Sequence, residues 1–221
     1  MRTASIGMVV ALSVAVFAQA PPPPPGISRT EVLDNATALI ARLQMEPGSR
    51  ETIHTHPFSA VVVQMTPGAI DMTVGKVRSR QARDPGFVWF IPKETPHAAI
   101  NTGANAVGFV TIGIKTARPP AAAAPPTASP AGITRETILD NDEARVVHVT
   151  FAPGSREPVH THPNDLVTVQ LTAGRLEIVE GSAHSDEERA PGFVKFLARG
   201  VSHSYVSTDS KPFELLSVAI K

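Results

Sequence analysis

The chain has 221 residues, 42% of them apolar, with 20 basic and 20 acidic side chains that balance to no net charge. That length suits one large domain or two small ones, and the absence of any basic stripe argues against nucleic acid as a partner. There is no cysteine, so disulfides, thiolate nucleophiles and thiolate metal ligands are excluded, and histidine and carboxylate must carry any metal chemistry.

The first twenty residues read as a secretory signal peptide. Arg2 precedes an apolar run from Ile6 to Phe17, and Ala18-Gln19-Ala20 supplies a small-residue cleavage site. The run is short for a membrane span, which favours cleavage over a retained anchor helix. The expectation is an exported protein, periplasmic or extracellular, with no membrane attachment after cleavage. Pro21 to Pro25 then form a stiff, solvated lead-in.

From Gly26 the chain repeats itself. Residues 26–115 align without gaps on residues 132–221, and about a third of the paired positions are identical. "PGSRETIHTHPF" (47–58) meets "PGSREPVHTHPN" (153–164), "LDN" meets "LDN", "PGFVWF" meets "PGFVKF", and His97 meets His203. Residues 116–131 between the copies are a Pro/Ala linker with no apolar periodicity. The chain therefore reads as two homologous domains, 26–115 and 132–221, joined by that linker and packed as an intrachain pseudo-dimer.

Within each copy the pattern is that of strands. Leu39, Ala41, Leu43 and Met45 alternate, as do Val147, Val149 and Phe151. "AVVVQM" and "LVTVQL" are β-branched runs ending in turns, and "VGFVTIGI" and "FELLSVAI" close the copies. Seven or eight short strands per copy, with no amphipathic helix of twelve residues, predict an all-β fold of two tandem small antiparallel β-barrels of jelly-roll type.

Six of the eight histidines fall in two matched triads: His54, His56 and His97, and His160, His162 and His203. In a strand the i and i+2 side chains share a face, so H-x-H aims two imidazoles one way. A third from a neighbouring strand completes a triad that leaves coordination positions open on a divalent transition metal such as Fe, Mn, Zn or Ni. The remaining two, His148 and His184, align with Arg42 and Arg78 and read as surface residues.

These spacings resemble the cupin superfamily over both copies. Its first motif is matched by Gly48, His54, His56, Val61 and Gly68, and by Gly154, His160, His162, Val167 and Gly174. Its second falls on Gly86, Pro92, Glu94, His97 and Asn101, and on Gly192, Ala198, Gly200, His203 and Ser207, with Glu94, Ala198 and Ser207 departing from the motif's Gly, Pro and Asn. The resemblance implies a bicupin with metal held by the two triads. It also implies a departure, since cupins often place a glutamate ligand where Val61 and Val167 stand. That argues against oxalate decarboxylase or oxidase chemistry and toward the three-histidine cupins, some of which use iron and dioxygen on diketones, catechols or thiols.

The other paired residues give weaker expectations. Strand parity turns Glu51 and Glu157 away from the pocket and aims Arg50 and Arg156 inward, making the arginines candidate clamps for an anionic substrate. Asp165 shares the parity of Val167 and is expected to reach inward. Gln64 and Gln170 read as packing residues, and Trp89 as structural, on an outer face or between the copies. The functional expectation is a metal-dependent cupin acting on or binding a small molecule. If it is an enzyme, an oxygenase of small chelating anions leads. A non-catalytic small-ligand or metal-binding module and a metal-dependent isomerase or hydrolase are the alternatives.

Overall fold

The computed structural model describes residues 24–116 and 130–221. The expected signal peptide (1–20) and nearly all of the expected linker (116–131) lie outside the described residues. Among the described residues there is no helix, so none is long and apolar enough to cross a membrane.

The first copy forms nine strands: β1 (Ile27–Asp34), β2 (Ala38–Met45), β3 (Arg50–His54), β4 (Ser59–Gln64), β5 (Gly68–Val74), β6 (Val77–Arg83), β7 (Val88–Ile91), β8 (His97–Asn101) and β9 (Val107–Ile114). The second copy repeats them as β10 (Ile133–Asp140), β11 (Ala144–Phe151), β12 (Arg156–Thr161), β13 (Asp165–Gln170), β14 (Gly174–Glu180), β15 (Ala183–Arg189), β16 (Val194–Leu197), β17 (Ser202–Ser207) and β18 (Phe213–Ile220). Each copy folds into a five-stranded sheet, β1-β2-β9-β4-β7 or β10-β11-β18-β13-β16, facing a four-stranded sheet, β3-β8-β5-β6 or β12-β17-β14-β15. Every pairing is antiparallel. The all-β reading and the paired jelly-roll architecture hold, with a strand or two more per copy than the pattern suggested.

Two kinds of core follow from this layering. Between the sheets of the first copy lie Ile27, Met45, Ala60, Val62, Ile70, Met72, Ala99 and Phe109. Ile133, Val149, Phe151, Leu176, Ile178 and Tyr205 take the same place in the second. The third cluster joins the copies: Ile40, Val61, Val63, Val110 and Ile112 pack with Val146, Val167, Val169, Leu216 and Val218. All ten lie on the five-stranded sheets, whose outer faces therefore meet inside one chain. Each such side chain contributes about 1.5–3 kcal/mol on burial. Across the seam, Ser59 Oγ donates to Glu143 Oε1 at 3.0 Å and Arg42 Nη2 to the Gly192 carbonyl at 3.0 Å.

This arrangement explains the unbroken apolar runs of β4 and β13. Every residue of both strands is buried, because one face looks into its own barrel and the other into the neighbouring barrel, as in a strand covered on both sides. It also corrects two expectations. Val61 and Val167 face the seam between the copies, not the pockets, and the inward residues of β4 are Ala60 and Val62. Asp165 shares their side and does not reach inward. Its Oδ1 accepts the Arg199 backbone N–H at 2.9 Å, just as Ser59 Oγ accepts that of Lys93 at 2.9 Å. Both brace the loop leading to the third histidine. Gln64 is the packing residue expected: its Nε2 donates to the carbonyls of Thr66, Gly68 and Arg83.

Candidate metal centres

The three histidines of each copy come together at one end of its barrel. In both triads the potential ligand atoms lie within 4.8 Å of one another. His54 sits opposite His97 across β3 and β8, and His160 opposite His203 across β12 and β17. His56 and His162 enter from the turn that follows. The backbone holds that turn in place: the N–H of Glu94 donates to the His56 carbonyl at 2.7 Å, and that of Gly200 to the His162 carbonyl at 3.0 Å. Gly200 has φ of 80° and Glu94 has φ of 57°. The first copy thus forces a left-handed conformation on a residue with a side chain, at about 1–2 kcal/mol, to keep the same contact.

The proton positions follow from the partners. His54 Nδ1 lies 2.8 Å from the Thr52 carbonyl, His97 Nδ1 2.9 Å from that of Thr95, and His160 Nδ1 2.9 Å from that of Pro158. A carbonyl can only accept, so each Nδ1 carries the hydrogen and each Nε2 presents a lone pair. Yet Nε2 of His54 is 3.2 Å from that of His56, and Nε2 of His162 is 3.1 Å from that of His160 and 3.3 Å from that of His203. With a proton on Nε2 of His56 or His162 these contacts are imidazole–imidazole hydrogen bonds; with that proton on Nδ1, the lone pairs converge on a point where a cation would relieve their repulsion. The tautomers of His54, His97 and His160 are set as those of metal-ligating imidazoles are, and with their partners' Nε2 atoms converging beside them the residues present fit a divalent transition metal.

Burial strengthens this. It pushes His56 and His162 down to about 4 and His203 to about 3, with neighbouring imidazoles adding to the effect, and it lowers His97 as well. These rings are neutral and ligand-competent at pH 7. The unfolded chain takes up protons below pH 6.5 that the folded rings refuse until about pH 4. The metal-free fold therefore keeps this contribution above pH 6.5 and loses it progressively on acidification toward pH 4. The expected result is a melting temperature that falls over that window, with a shallower slope in His162→Asn/His203→Asn. An unchanged slope would contradict it.

The most informative departure concerns Glu51 and Glu157. Register shifts between Glu51 and His54, and between Glu157 and His160, where a β-bulge interrupts the ladder. A bulge inserts a residue and reverses parity beyond it. Glu51 therefore stands opposite inward-facing Ala99, and Glu157 opposite Tyr205. The Oε1 of Glu51 is 3.6 Å from His54 Nε2, and that of Glu157 is 3.7 Å from His160 Nε2. The same bulge turns Arg50 and Arg156 outward: both are exposed, opposite Ile100 and Val206. They do not line the pockets, and the expectation of inward-aimed clamps fails for that reason.

The cations near the triads come instead from the first strands. Arg29 pairs in register with Leu43, and Arg135 with Val149, placing both at the barrel mouths. Each depresses a triad imidazole electrostatically, Arg29 that of His56 and Arg135 that of His162. Sequence reading passed over them, although their alternation with buried Ile27 and Ile133 was visible. Trp89 is also relocated. It packs with the inner cluster of the first barrel, edge-on to Phe87 at 4.6 Å.

Known proteins agree with this fold. A protein-family model described as Cupin matches residues 28–141. The beta-alanine degradation protein BauB of Pseudomonas aeruginosa is 33% identical over 85 residues, covering 38% of this chain and 87% of that protein. Among solved structures, AerE from Microcystis aeruginosa superposes with a TM-score of 0.73 at 13% identity, over 90% of this chain and 98% of its own. Salicylate 1,2-dioxygenase from Pseudoaminobacter salicylatoxidans gives 0.69 at 10% identity, over 91% and 75%. Oxalate decarboxylase from Bacillus subtilis gives 0.66 at 11%, over 89% and 73%. At these identities the structures speak to fold. The family model and the histidine triads, present in both copies, speak to kinship: the chain belongs to the cupin family.

Proposed function

We propose that the protein is an exported, divalent-metal bicupin that acts as an oxygenase on a small, chelating anionic substrate, with iron as the working metal. The observation that carries this is the make-up of the first pocket: three imidazole donors and one carboxylate at the mouth of a largely apolar interior. Export rests on the character of residues 1–20. The relatives named for salicylate and oxalate add that this fold accommodates small carboxylates.

The bound ion would supply Lewis acidity and redox capacity. The chain's own residues do the rest. His54, His56 and His97 would hold the ion. Glu51 Oε1, 3.6 Å from His54 Nε2, lies where it serves as a fourth donor or takes the proton a chelating substrate must lose. Arg29 draws the anion to the mouth. Ala60, Val62 and Met72 keep water out, which disfavours hydrolysis. Dioxygen is the co-reactant: both its atoms enter the substrate, and the substrate's own oxidative bond cleavage provides the four electrons, so no external reductant is needed.

The test is dioxygen uptake by the iron-loaded protein across diketones, catechols and thiols. Uptake with at least one class, absent from His54→Ala, is expected. No uptake with any class, in protein shown to contain iron, would refute the oxygenase reading.

A further inference from the structure

The two triads are alike, but what surrounds them is not. At the edge strands β6 and β7 of the first barrel a half-open cleft of about 290 Å³ is lined by Met72, Val74, Val77, Ser79, Trp89 and Phe90. That is near the lower end for small-molecule pockets, about 300 Å³. Val74 stands directly opposite His97 across β5 and β8, so the cleft adjoins the metal ligands. Phe58, stacked parallel to His56 with centroids 5.8 Å apart, adds a second apolar surface.

In the second barrel two of these lining positions become charged, and neighbouring positions become charged or bulkier. Val74 becomes Glu180, Gln81 becomes Glu187, Trp89 becomes Lys195, and Ala99 becomes Tyr205. Lys195 Nζ lies 2.7 Å from Glu180 Oε1 and 3.1 Å from Glu187 Oε1, tying β16 to β14 and β15. Fully buried Arg189 closes on Glu187 Oε2 at 2.7 Å. Two cations thus meet two carboxylates, which neutralises the chain of ion pairs and leaves no charge to recruit an anion. At the mouth, Arg135 pairs with Glu157, whereas among the described residues Arg29 and Glu51 form no such pair.

We infer that the copies have divided their work. The first barrel takes the small molecule, one with a metal-chelating anionic head and an apolar body that fills the Met72–Val74–Trp89 cleft. The second keeps a triad as open as the first but fills the matching cleft with its ion-pair chain, and takes no such ligand. This rests on the metal-site reading above and deepens it by assigning the ligand to one site and giving its shape.

The experiment uses the full chain loaded with redox-silent zinc and titrated with 4-nitrocatechol. Calorimetry counts bound probe, and emission of Trp89, the sole tryptophan, together with the Met72 methyl resonance, locates it. One equivalent per chain is expected, quenching Trp89, retained in His160→Ala and lost in His54→Ala. Val74→Glu/Trp89→Lys, which copies the second barrel's residues into the first, should weaken binding at least ~10-fold with zinc content unchanged. Two equivalents, no binding, or binding lost only in His160→Ala would overturn the division of labour. If zinc itself does not bind, the metal reading falls separately. The inference is then decided by toluene on the metal-free protein: a shift of the Met72 methyl without one at Ile178 upholds the open first cleft, and any other pattern overturns it.

Discussion

Replacing His54 and His160 together by alanine is expected to reduce bound divalent metal from about two equivalents per chain, one for each triad, to none that survives dialysis. Three imidazoles share the binding energy of each site. If that energy approaches the lower end for protein zinc sites, about 10 kcal/mol, losing one donor removes about a third of it, or at least ~100-fold in affinity. The fold should tolerate the change. Both side chains are partly open to solvent at the barrel mouths, on short strands that end there, and neither belongs to a core cluster. The single variants should each hold one equivalent, which separates the copies. Elemental analysis after dialysis, alongside circular dichroism, reads the outcome. Full metal content in the double variant would mean that the triads are not the ligands.

The histidines were legible because their information is local and doubled: residue type, H-x-H spacing and a third imidazole 41 residues on, all present twice. The fold class was legible for a similar reason, since strands of this length and their turns announce themselves by alternation and by glycine and proline. What was not legible was direction. Parity counted through β3 aims Arg50 at the pocket and Glu51 away. A single bulge, which leaves no mark in residue type, exchanges them. The result is a site with a carboxylate beside three histidines, where spacing alone described three histidines without one. β4 was ambiguous for another reason: in "AVVVQ" both faces are apolar, so nothing in the sequence says which looks into the barrel and which meets the other copy. Trp89 followed the same error, because a tryptophan aligned with a lysine reads as a surface position. In the second barrel that lysine is internal too, held by Glu180 and Glu187.

The division between the barrels gives this ambiguity a consequence. Residues matched by type across the copies (the histidines, Glu51 with Glu157, Gln64 with Gln170) maintain the shared frame and the metal ligands. Residues that differ at matched inward positions (Val74 with Glu180, Trp89 with Lys195, Ala99 with Tyr205) decide what can enter. The metal site is thus conserved within the chain while the pocket is not, which is what two barrels with one ligand-taking site require.

The position aligned with the familiar glutamate ligand offers the sharpest test of direction. Spacing places Val61 there, and spacing alone would recommend Val61→Glu as a way to add a fourth donor. The structure predicts the opposite outcome. Val61 is fully buried against the second copy, so a glutamate would sit unpaired between the two five-stranded sheets, at a cost of about 3–5 kcal/mol. The expected result is a melting temperature lowered by roughly 10 °C or more and no gain in metal affinity. Ala60→Glu is the control. Ala60 faces the interior of the first barrel, and its new carboxylate is also costly without metal. A bound cation relieves that cost, so zinc should raise the melting temperature of Ala60→Glu more than that of the parent chain, whereas Val61→Glu gains no such extra rise. Differential scanning calorimetry with and without zinc distinguishes the two. If Val61→Glu melts like the parent chain and binds zinc more tightly, then β4 turns its odd residues inward, and the seam between the barrels is not where those valines lie.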